Sequence, residues 1–336
     1  MNHPKVSVII LNWNGLKDTI ECLESLKKII YPNYEVIVVD NGSKGNDADI
    51  LEEKYKDYIE VVRNKENLGF AEGNNVAIRQ ILRKGKNDYF LLLNNDTVVN
   101  PNFLTELVKV AESNMQIGIV GGKIYLHGTN IFDSAGSIYT NIGSAKSRGH
   151  GENDRNQYDK QEEVPMITAC CALIRKEILE RTHLFDPSFF MYLEELDLNI
   201  RIRQLGYKAF YTPKSIVYHK FSKSTKGTKV QIILLKQFYE EKNRMKILMK
   251  YYPLKILIKN LHLILLSYIW WEYYFLRFGN LKWFLKLNVG ILKSFIEGIK
   301  KRPIILINND WTKWMVNYNL NDFVQLKNKM LKRHSY

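Results

Sequence analysis

Short apolar runs that alternate with helix-like stretches dominate the first 120 residues. The runs cover residues 6–11, 35–39, 59–63, 89–93 and 117–120, and the segments between them carry apolar side chains at helical spacing. Asp18 stands where the N-cap of the first of these helices is expected. Continuous apolar runs of this length are typical of strands buried on both faces, and repeated strand–helix–strand units indicate an α/β fold with a parallel sheet.

Polar side chains follow several of these runs, at the points where the predicted strands end. They are Asn12, Asn14, Asp40, Asn94, Asn95 and Asp96. The carboxyl ends of parallel strands meet at one edge of an open α/β sheet, and ligands bind in the crevice outside that edge. We therefore expect these side chains to converge on a single site.

The chain is less regular beyond residue 121. Residues 122–165 are rich in Gly, Ser and Asn, which indicates a mixed loop and hairpin region. Strands are predicted over residues 166–175 and 206–218, with a helix inside 189–204. We expect one α/β domain over residues 1–225 and a helical region over residues 226–336.

The cysteines and the N-terminal residues favour a cytoplasmic protein. Cys22, Cys170 and Cys171 are an odd number without metal-type spacing, so a disulfide framework is not expected. The apolar run after Lys5 is too short for a signal peptide and is better interpreted as a buried strand.

The usual dinucleotide, P-loop and metalloprotease motifs are absent from the sequence. The predicted crevice offers instead carboxylate and amide oxygens from Asp40, Asn94 and Asp96. A carboxylate such as Asp96 suits Mg²⁺ or Mn²⁺ shared with substrate phosphates, because such ions bind one or two protein groups and the phosphate oxygens. A strand-end aspartate is more often a turn or capping residue, but three polar groups around one crevice favour a site.

Five sequence blocks occur in a recognisable order. They are VSVIILNWNG at residues 6–15, VVDNGS at 38–43, NLGFAEGNN at 67–75, LNND at 93–96 and FDPSFFMYLEELD at 185–197. Arg201, Gly206, Tyr207 and His219 follow in the same order. Together these blocks resemble the family 2 glycosyltransferases of the rhamnosyltransferase-like group, over about residues 5–225.

The resemblance implies a GT-A fold, a Rossmann-like mixed sheet with helices on both faces, and inverting sugar transfer from a nucleotide-diphospho-sugar. By this similarity Asp40 contacts the nucleobase or ribose, and residues 67–75 line the nucleotide pocket. The donor-binding residues implied in this way are Asn12, Asn14, Asp40, Asn67, Gly69, Asn74, Asn94 and Asn95.

The resemblance also implies a divalent cation, Mg²⁺ or Mn²⁺. Asn94 and Asp96 occupy the family's Asp-x-Asp position, and the neutral Asn94 leaves most of the charge compensation to Asp96. His219 matches a histidine that supplies a further metal contact in some members, although a lone histidine after a strand is ordinarily a surface or cap residue.

The acidic block implies the general base. In the family's Glu-Asp-x-Asp block the second acidic residue acts as the general base, and Glu195 occupies that position with one additional methylene. Glu194 is the second candidate for the base. An inverting displacement needs a carboxylate that takes the proton of the acceptor hydroxyl. The alternative is that these acids form the first turn of a helix, where the helix dipole favours them, and that Asp197 pairs with Arg201.

The last third of the chain differs in charge from the rest. Residues 1–220 carry 27 Lys and Arg against 29 Asp and Glu, whereas residues 221–336 carry 22 against 6. The longest uncharged stretch, residues 260–271, is too short to span a bilayer as a helix. The apolar and aromatic residues at 261, 263–266, 269–271, 273 and 274, with basic residues around them, are typical of a helix in a membrane interface.

We therefore expect the C-terminal region to dock the protein on the inner face of the cell membrane, near a lipid-linked acceptor. Two alternatives are a helical subdomain packed on the α/β core with solvated lysines, and a nucleic-acid-binding surface, which we do not expect.

The sequence leaves the exact activity open. We expect a glycosyltransferase of cell-surface polysaccharide synthesis with dTDP-rhamnose or a UDP-sugar as donor and a glycan or polyprenyl-linked acceptor. The alternative is a non-catalytic nucleotide- or carbohydrate-binding protein on the same fold. A nucleotidyltransferase is disfavoured because residues 12–15 contain no basic Gly-rich loop.

Overall fold

The computed structural model of the protein describes residues 3–221, 228–302 and 310–332. Two compact units make up the chain. The first unit contains Met1–Ile138 and Ser147–Ser224, and the second unit contains Tyr139–Lys146 and Thr225–Tyr336.

The first unit is built on a ten-stranded mixed sheet. Its strands are β1 Val6–Asn12, β2 Tyr34–Asn41, β3 Ile59–Asn64, β4 Tyr89–Asn94, β5 Thr97–Val99, β6 Ile117–Leu126, β7 Phe132–Ser134, β10 Glu162–Val164, β11 Cys171–Arg175 and β12 Lys208–His219. The remaining strands of this part of the chain, β8 Ser137–Thr140 and β9 Ala145–Ser147, lie in a separate sheet that belongs mainly to the second unit. The order is β10-β12-β6-β11-β4-β1-β2-β3, with β5 beside β12 and β7 beside β6. The four N-terminal strands are parallel, as predicted, but β11 lies antiparallel between β4 and β6. No crossover helix connects β6 to β11, so the two strands are not constrained to run parallel.

Helices cover both faces of this sheet. They are α1 Leu16–Leu26, α2 Asp47–Tyr55, α3 Gly69–Lys84, α4 Phe103–Glu112, α5 Lys176–Arg181 and α6 Glu194–Gln204. α1, α2 and α4 pack on one face and α3, α5 and α6 on the other. Within β1, Val8 and Ile10 pack in the core on the side of α1, α2 and α4, and Ile9 packs in the core on the side of α3, α5 and α6. Both faces of the strand are therefore buried, which explains its uninterrupted apolar sequence.

Two local predictions differ from the structure. α1 begins at Leu16 with Gly15 at the N-cap, so the prediction of Asp18 as N-cap is wrong. Asp18 lies in the first turn, where the helix dipole favours a carboxylate, and Lys220 Nζ lies 3.1 Å from its Oδ1. The strand predicted over residues 166–175 is shorter in the structure and covers only β11. At Ile167 the side-chain amide of Asn199, and not a neighbouring strand, bonds both the backbone N–H and the backbone C=O.

The second unit is helical, as predicted, with a small three-stranded sheet. Its helices are α7 Lys229–Tyr251, α8 Leu254–Lys259, α9 Leu261–Tyr274, α10 Leu281–Lys300 and α11 Leu320–Lys332. β13 (Met315–Val316) pairs parallel with β8 at Tyr139 and Thr140. Thr228 and Gln231 form a capping box that satisfies backbone donors at the start of α7.

α10 lies against α7 through small residues. A side chain at Gly298 would meet Lys246 O at 2.8 Å, and one at Gly290 would meet the Phe238 ring at 3.0 Å. Within residues 3–221, 228–302 and 310–332, the length and hydropathy needed to cross a bilayer are found in none of the helices.

Candidate active site

Asn12, at the carboxyl end of β1, is the centre of a buried polar network. Its amide donates to Asp40 Oδ1 at 3.0 Å, to Ser43 Oγ at 3.2 Å and to Asp47 Oδ2 at 3.1 Å, and its carbonyl accepts from Thr19 at 2.8 Å. β1 and β2 pair in parallel with Asn12 opposite Asp40, so the register of the sheet brings these two side chains together.

Two further strand-end residues join this network. Asn14 adopts the left-handed region with φ +52°; its backbone N–H donates to Ser43 Oγ at 2.9 Å. Its side-chain carbonyl accepts from the Lys44 backbone N–H at 2.9 Å, which ties together the loops after β1 and β2. Asn95, after β4, donates to Thr19 Oγ1 at 3.0 Å. Strand-end residues from β1, β2 and β4 therefore form one connected group.

The segment of residues 67–75 is fixed by its own side chains. Asn67 accepts from Asn41 Nδ2 at 3.0 Å and from the backbone N–H of Gly69 at 2.8 Å. Asn74 is buried and donates to the Phe70 carbonyl one turn earlier at 2.8 Å. The structure thus gives Asn67 the role of shaping the loop and Asn74 a bond within α3.

Gly69 brings the start of α3 close to the acidic block. It has φ +78°, and a Cβ there would contact the backbone O of Phe190 and lie 2.6 Å from its ring. The Phe190 carbonyl in turn accepts from the Phe70 N–H at 2.6 Å. This close approach is available only to glycine.

The backbone just before the acids is strained. Phe190, Tyr192 and Leu193 all have positive φ, near +65°. Asn75 holds the beginning of this segment by bonding both the C=O and the N–H of Phe185, at 2.9 and 3.0 Å. Strained non-glycine residues concentrate at functional sites, where the surrounding structure holds them in place.

Glu194 and Glu195 begin α6 in different surroundings. Glu194 is buried, and burial, followed by the neighbouring Glu195, raises the pKa of its carboxyl well above 4.5. Glu195 is half-buried. Asp197 is fully buried and accepts from Arg201 Nε at 2.8 Å, which confirms the predicted pair and gives Asp197 a structural role.

Asp96 and His219 lie next to each other at the same edge of the sheet. β5 and β12 pair antiparallel with Thr97 opposite His219, and the Lys220 N–H donates to the Asp96 carbonyl at 2.9 Å. This pairing leaves His219 Nε2 only 3.2 Å from Asp96 Oδ1, with both residues 8% exposed. Asn94, two residues before Asp96, is half-buried, and its backbone N–H donates to the Cys170 carbonyl at 2.9 Å.

Asp133 is a member of this cluster that the sequence did not reveal. Its Oδ2 lies 2.8 Å from His219 Nδ1, on the opposite side of the ring from Asp96. The buried thiol of Cys170 also lies beside His219. Ligand atoms of Asp133, Cys170 and His219 all lie within 4.8 Å of one another. Burial alone lowers the pKa of His219, but Cys170, Asp133 and Asp96 together outweigh burial and raise it.

This donor set fits a divalent cation. Asp96 offers a carboxylate oxygen, and His219 turns Nε2 toward the same point. A metal-binding histidine ordinarily donates its other N–H to a carboxylate, and Asp133 is placed to accept it. Asp133 could not be recognised from the sequence pattern, because it lies in a three-residue strand inside the irregular region.

A solved structure shares this architecture. The crystal structure of GalNAc-T7 with UDP, GalNAc and Mn²⁺ aligns with a TM-score of 0.60 and 17% identity, covering 75% of this chain and 49% of that chain. The fold therefore defines a protein with the GT-A architecture of glycosyltransferases. Residues 7–182 match the model of Glycosyl transferase family 2, and the chain belongs to this family.

Two of the curated relatives are named for roles in glycan synthesis. The O-antigen biosynthesis protein RfbC of Myxococcus xanthus is 27% identical over 67% of this chain, which spans only 18% of RfbC. The N-acetylglucosaminyl-diphospho-decaprenol L-rhamnosyltransferase of Mycobacterium tuberculosis is 23% identical over 56% of this chain and 67% of that protein.

Proposed function

We propose that this glycosyltransferase is metal-dependent and inverting, and that it moves a hexose from a nucleotide-diphospho-sugar to a hydroxyl of a glycan or lipid-linked acceptor in cell-surface polysaccharide synthesis. The observation that carries the proposal is the contact between Asp96 Oδ1 and His219 Nε2 at 3.2 Å, next to the polar network of Asn12 and Asp40 on a family 2 fold.

Asp96 and His219 would hold the cation, which supplies charge neutralisation for the departing diphosphate. An imidazole ligand favours Mn²⁺ over Mg²⁺, because Mg²⁺ takes oxygen ligands. Asp40 and the loops around Asn14 and Asn67 bind the nucleotide, and their mutual hydrogen bonds hold them in position before the donor arrives.

Glu195 acts as the general base and removes the proton of the acceptor hydroxyl. A base must be ionised before it can accept a proton. Burial raises the pKa of Glu194 and so favours its neutral form, which argues against Glu194 in this role. Glu194 instead lies beside Glu195 in the first turn of α6, where the two carboxyl groups act on each other electrostatically.

Rhamnose carried on dTDP is the proposed donor sugar, with a UDP-hexose as the competing donor. The Mycobacterium tuberculosis relative, which is a rhamnosyltransferase acting on a diphospho-decaprenol substrate, supports rhamnose and a polyprenyl-linked acceptor. We also propose that the protein works in the cytoplasm, attached peripherally to the inner face of the cell membrane, where such an acceptor is anchored.

A donor screen tests the enzyme against a non-catalytic binding protein. Each nucleotide-sugar is added with Mn²⁺, and thermal unfolding and release of the nucleotide diphosphate are both measured. A cognate donor should raise the melting temperature by mass action and be turned over. A donor that stabilises the protein and is never consumed, with any acceptor extract, would show a binding protein.

A further inference from the structure

The second unit exposes an unusual amount of apolar side chain on α10. Six large apolar residues repeat at intervals of three or four along this helix and are between 45% and 64% exposed: Leu281, Leu285, Val289, Leu292, Ile296 and Ile299. Side chains three and four residues apart share one face of a helix. They therefore form one continuous stripe along the length of α10.

This stripe lies opposite the face by which α10 packs. Leu287, Ser294 and Gly298 are buried, and Gly298 lies directly against α7. The apolar stripe is on the far side of the helix from these three residues, because 100° separates successive residues. Its exposure is therefore a property of the folded unit and not of a helix that lacks its packing partner.

α8 and α9 carry a second stripe of the same kind. Leu254, Ile258, Leu261, Leu265, Ile269 and Tyr273 repeat every three or four residues and are each about half exposed or more. Trp270 and Trp271 are instead buried in the unit, so the expectation that they contact lipid is wrong. α9 is apolar on all sides, and packing decides which side remains outside.

Basic residues flank both stripes. Lys282, Lys286, Lys293 and Lys300 are exposed, and each follows a stripe residue of α10 by one position. Lys255 and Lys259 stand in the same relation to Leu254 and Ile258. An apolar face bordered by lysines is the pattern of a helix that lies in the plane of a membrane interface, with cations at the anionic headgroups.

We propose that the exposed stripes of α8, α9 and α10, named here the lipid face, are the surface by which this protein enters an anionic bilayer. The positive charge bordering the stripes selects a bilayer with acidic headgroups over an uncharged apolar partner. This inference rests on the proposed peripheral attachment and specifies the residues that make it.

Vesicle co-sedimentation tests the lipid face. The full chain is mixed with vesicles of phosphatidylcholine and phosphatidylglycerol, or of phosphatidylcholine alone, at low and high salt. We expect binding to the anionic vesicles that weakens with salt. The double variant Leu285→Glu/Leu292→Glu should bind about tenfold or more weakly, because it places carboxylates where the interface needs apolar side chains.

A matched control separates the lipid face from exposed apolar residues in general. Ile30 and Met115 of the first unit are 62% and 66% exposed, so Ile30→Glu/Met115→Glu makes the same chemical change elsewhere. This control should bind as the wild type does. Lys282→Glu/Lys293→Glu should lose binding to the anionic vesicles and most of the salt dependence.

Three results would overturn the inference. In the first, the wild-type protein stays in the supernatant with anionic vesicles at low salt. In the second, the Leu285→Glu/Leu292→Glu variant binds vesicles as tightly as the wild type. In the third, light scattering shows that the wild type is a dimer and that only this variant dissociates it. The last result would assign the surface to a second copy of the chain.

The proposed chemistry is judged separately, by donor turnover without vesicles. The α10 variant should keep wild-type turnover, since none of its changes lies in the first unit. Vesicle binding without turnover contradicts only the proposed activity, and turnover without vesicle binding contradicts only the lipid face.

Discussion

Replacement of Asp133 by Asn should weaken binding of the proposed cation without removing either proposed ligand. The Asp133 carboxylate lies 2.8 Å from His219 Nδ1, and the two residues are 6% and 8% exposed. By accepting that N–H, the carboxylate would fix the ring tautomer and leave Nε2 to bind the proposed cation beside Asp96. An amide of the same shape lacks the charge and can present an N–H to the ring instead.

Loss of such an outer-shell carboxylate typically costs about 10- to 100-fold in metal affinity, which corresponds to about 1.4–2.8 kcal/mol. The low exposure of both partners limits solvent screening and places Asp133→Asn in this range. Titration of Mn²⁺ by electron paramagnetic resonance, with a nucleoside diphosphate present, measures the affinity directly and needs no turnover.

Asp154→Asn is the matched control for a lost carboxylate. Asp154 is also largely buried in the first unit, but it bonds Lys123 at 2.9 Å and makes no contact with His219. This variant should lower the melting temperature and leave Mn²⁺ affinity unchanged. Wild-type Mn²⁺ affinity in Asp133→Asn, or an equal loss in both variants, would refute the role given to Asp133.

Two further changes test the acidic block and the loop beside it. Burial raises the pKa of Glu194 in the folded chain, so folding takes up a proton and the stability of the wild type falls as pH rises above 4.5. The Tm of Glu194→Gln minus the Tm of the wild type should therefore be constant in acid and increase above that pH. A Tm difference that does not change between roughly pH 4 and 8 would show that the pKa of Glu194 is not raised. Gly69→Ala should lower the free energy of unfolding by about 1–3 kcal/mol and should reduce turnover, because the new Cβ displaces Phe190. Gly85 also has a positive φ, +69°, but no atom lies within 4 Å of a Cβ built there, so Gly85→Ala should lower stability without changing turnover. Equal turnover in the two glycine variants would show that Phe190 does not act on the site.

The sheet and the Asn12–Asp40 part of the candidate site could be predicted, because both follow from the apolar runs and the polar residues that end them. β1 and β2 are buried on both faces, so they read as apolar runs, and parallel pairing then forces Asn12 next to Asp40. The antiparallel insertion of β11 and the short strand that carries Asp133 depend on pairings between distant segments, which leave no periodic signal.

The C-terminal region shows a different limit. α9 is apolar all round, so its sequence could not tell that Trp270 faces the core while Leu265 and Ile269 face outward. α10 has a clear amphipathic pattern, yet such a pattern ordinarily marks the buried face of a helix. Only the close packing of Gly298 on α7 shows that the apolar stripe is the outer side.

The proposed mechanism gives Asp96 the binding of the nucleotide with its cation and gives Glu195 the removal of the acceptor proton. The most direct measurement compares donor turnover with Mn²⁺-dependent nucleotide affinity in Glu195→Gln, with Asp96→Ala as reference. We predict that Glu195→Gln keeps near-wild-type nucleotide affinity while its turnover falls about 10²- to 10⁴-fold, and that Asp96→Ala loses both. A Glu195→Gln variant that turns over donor at the wild-type rate would exclude Glu195 as the general base.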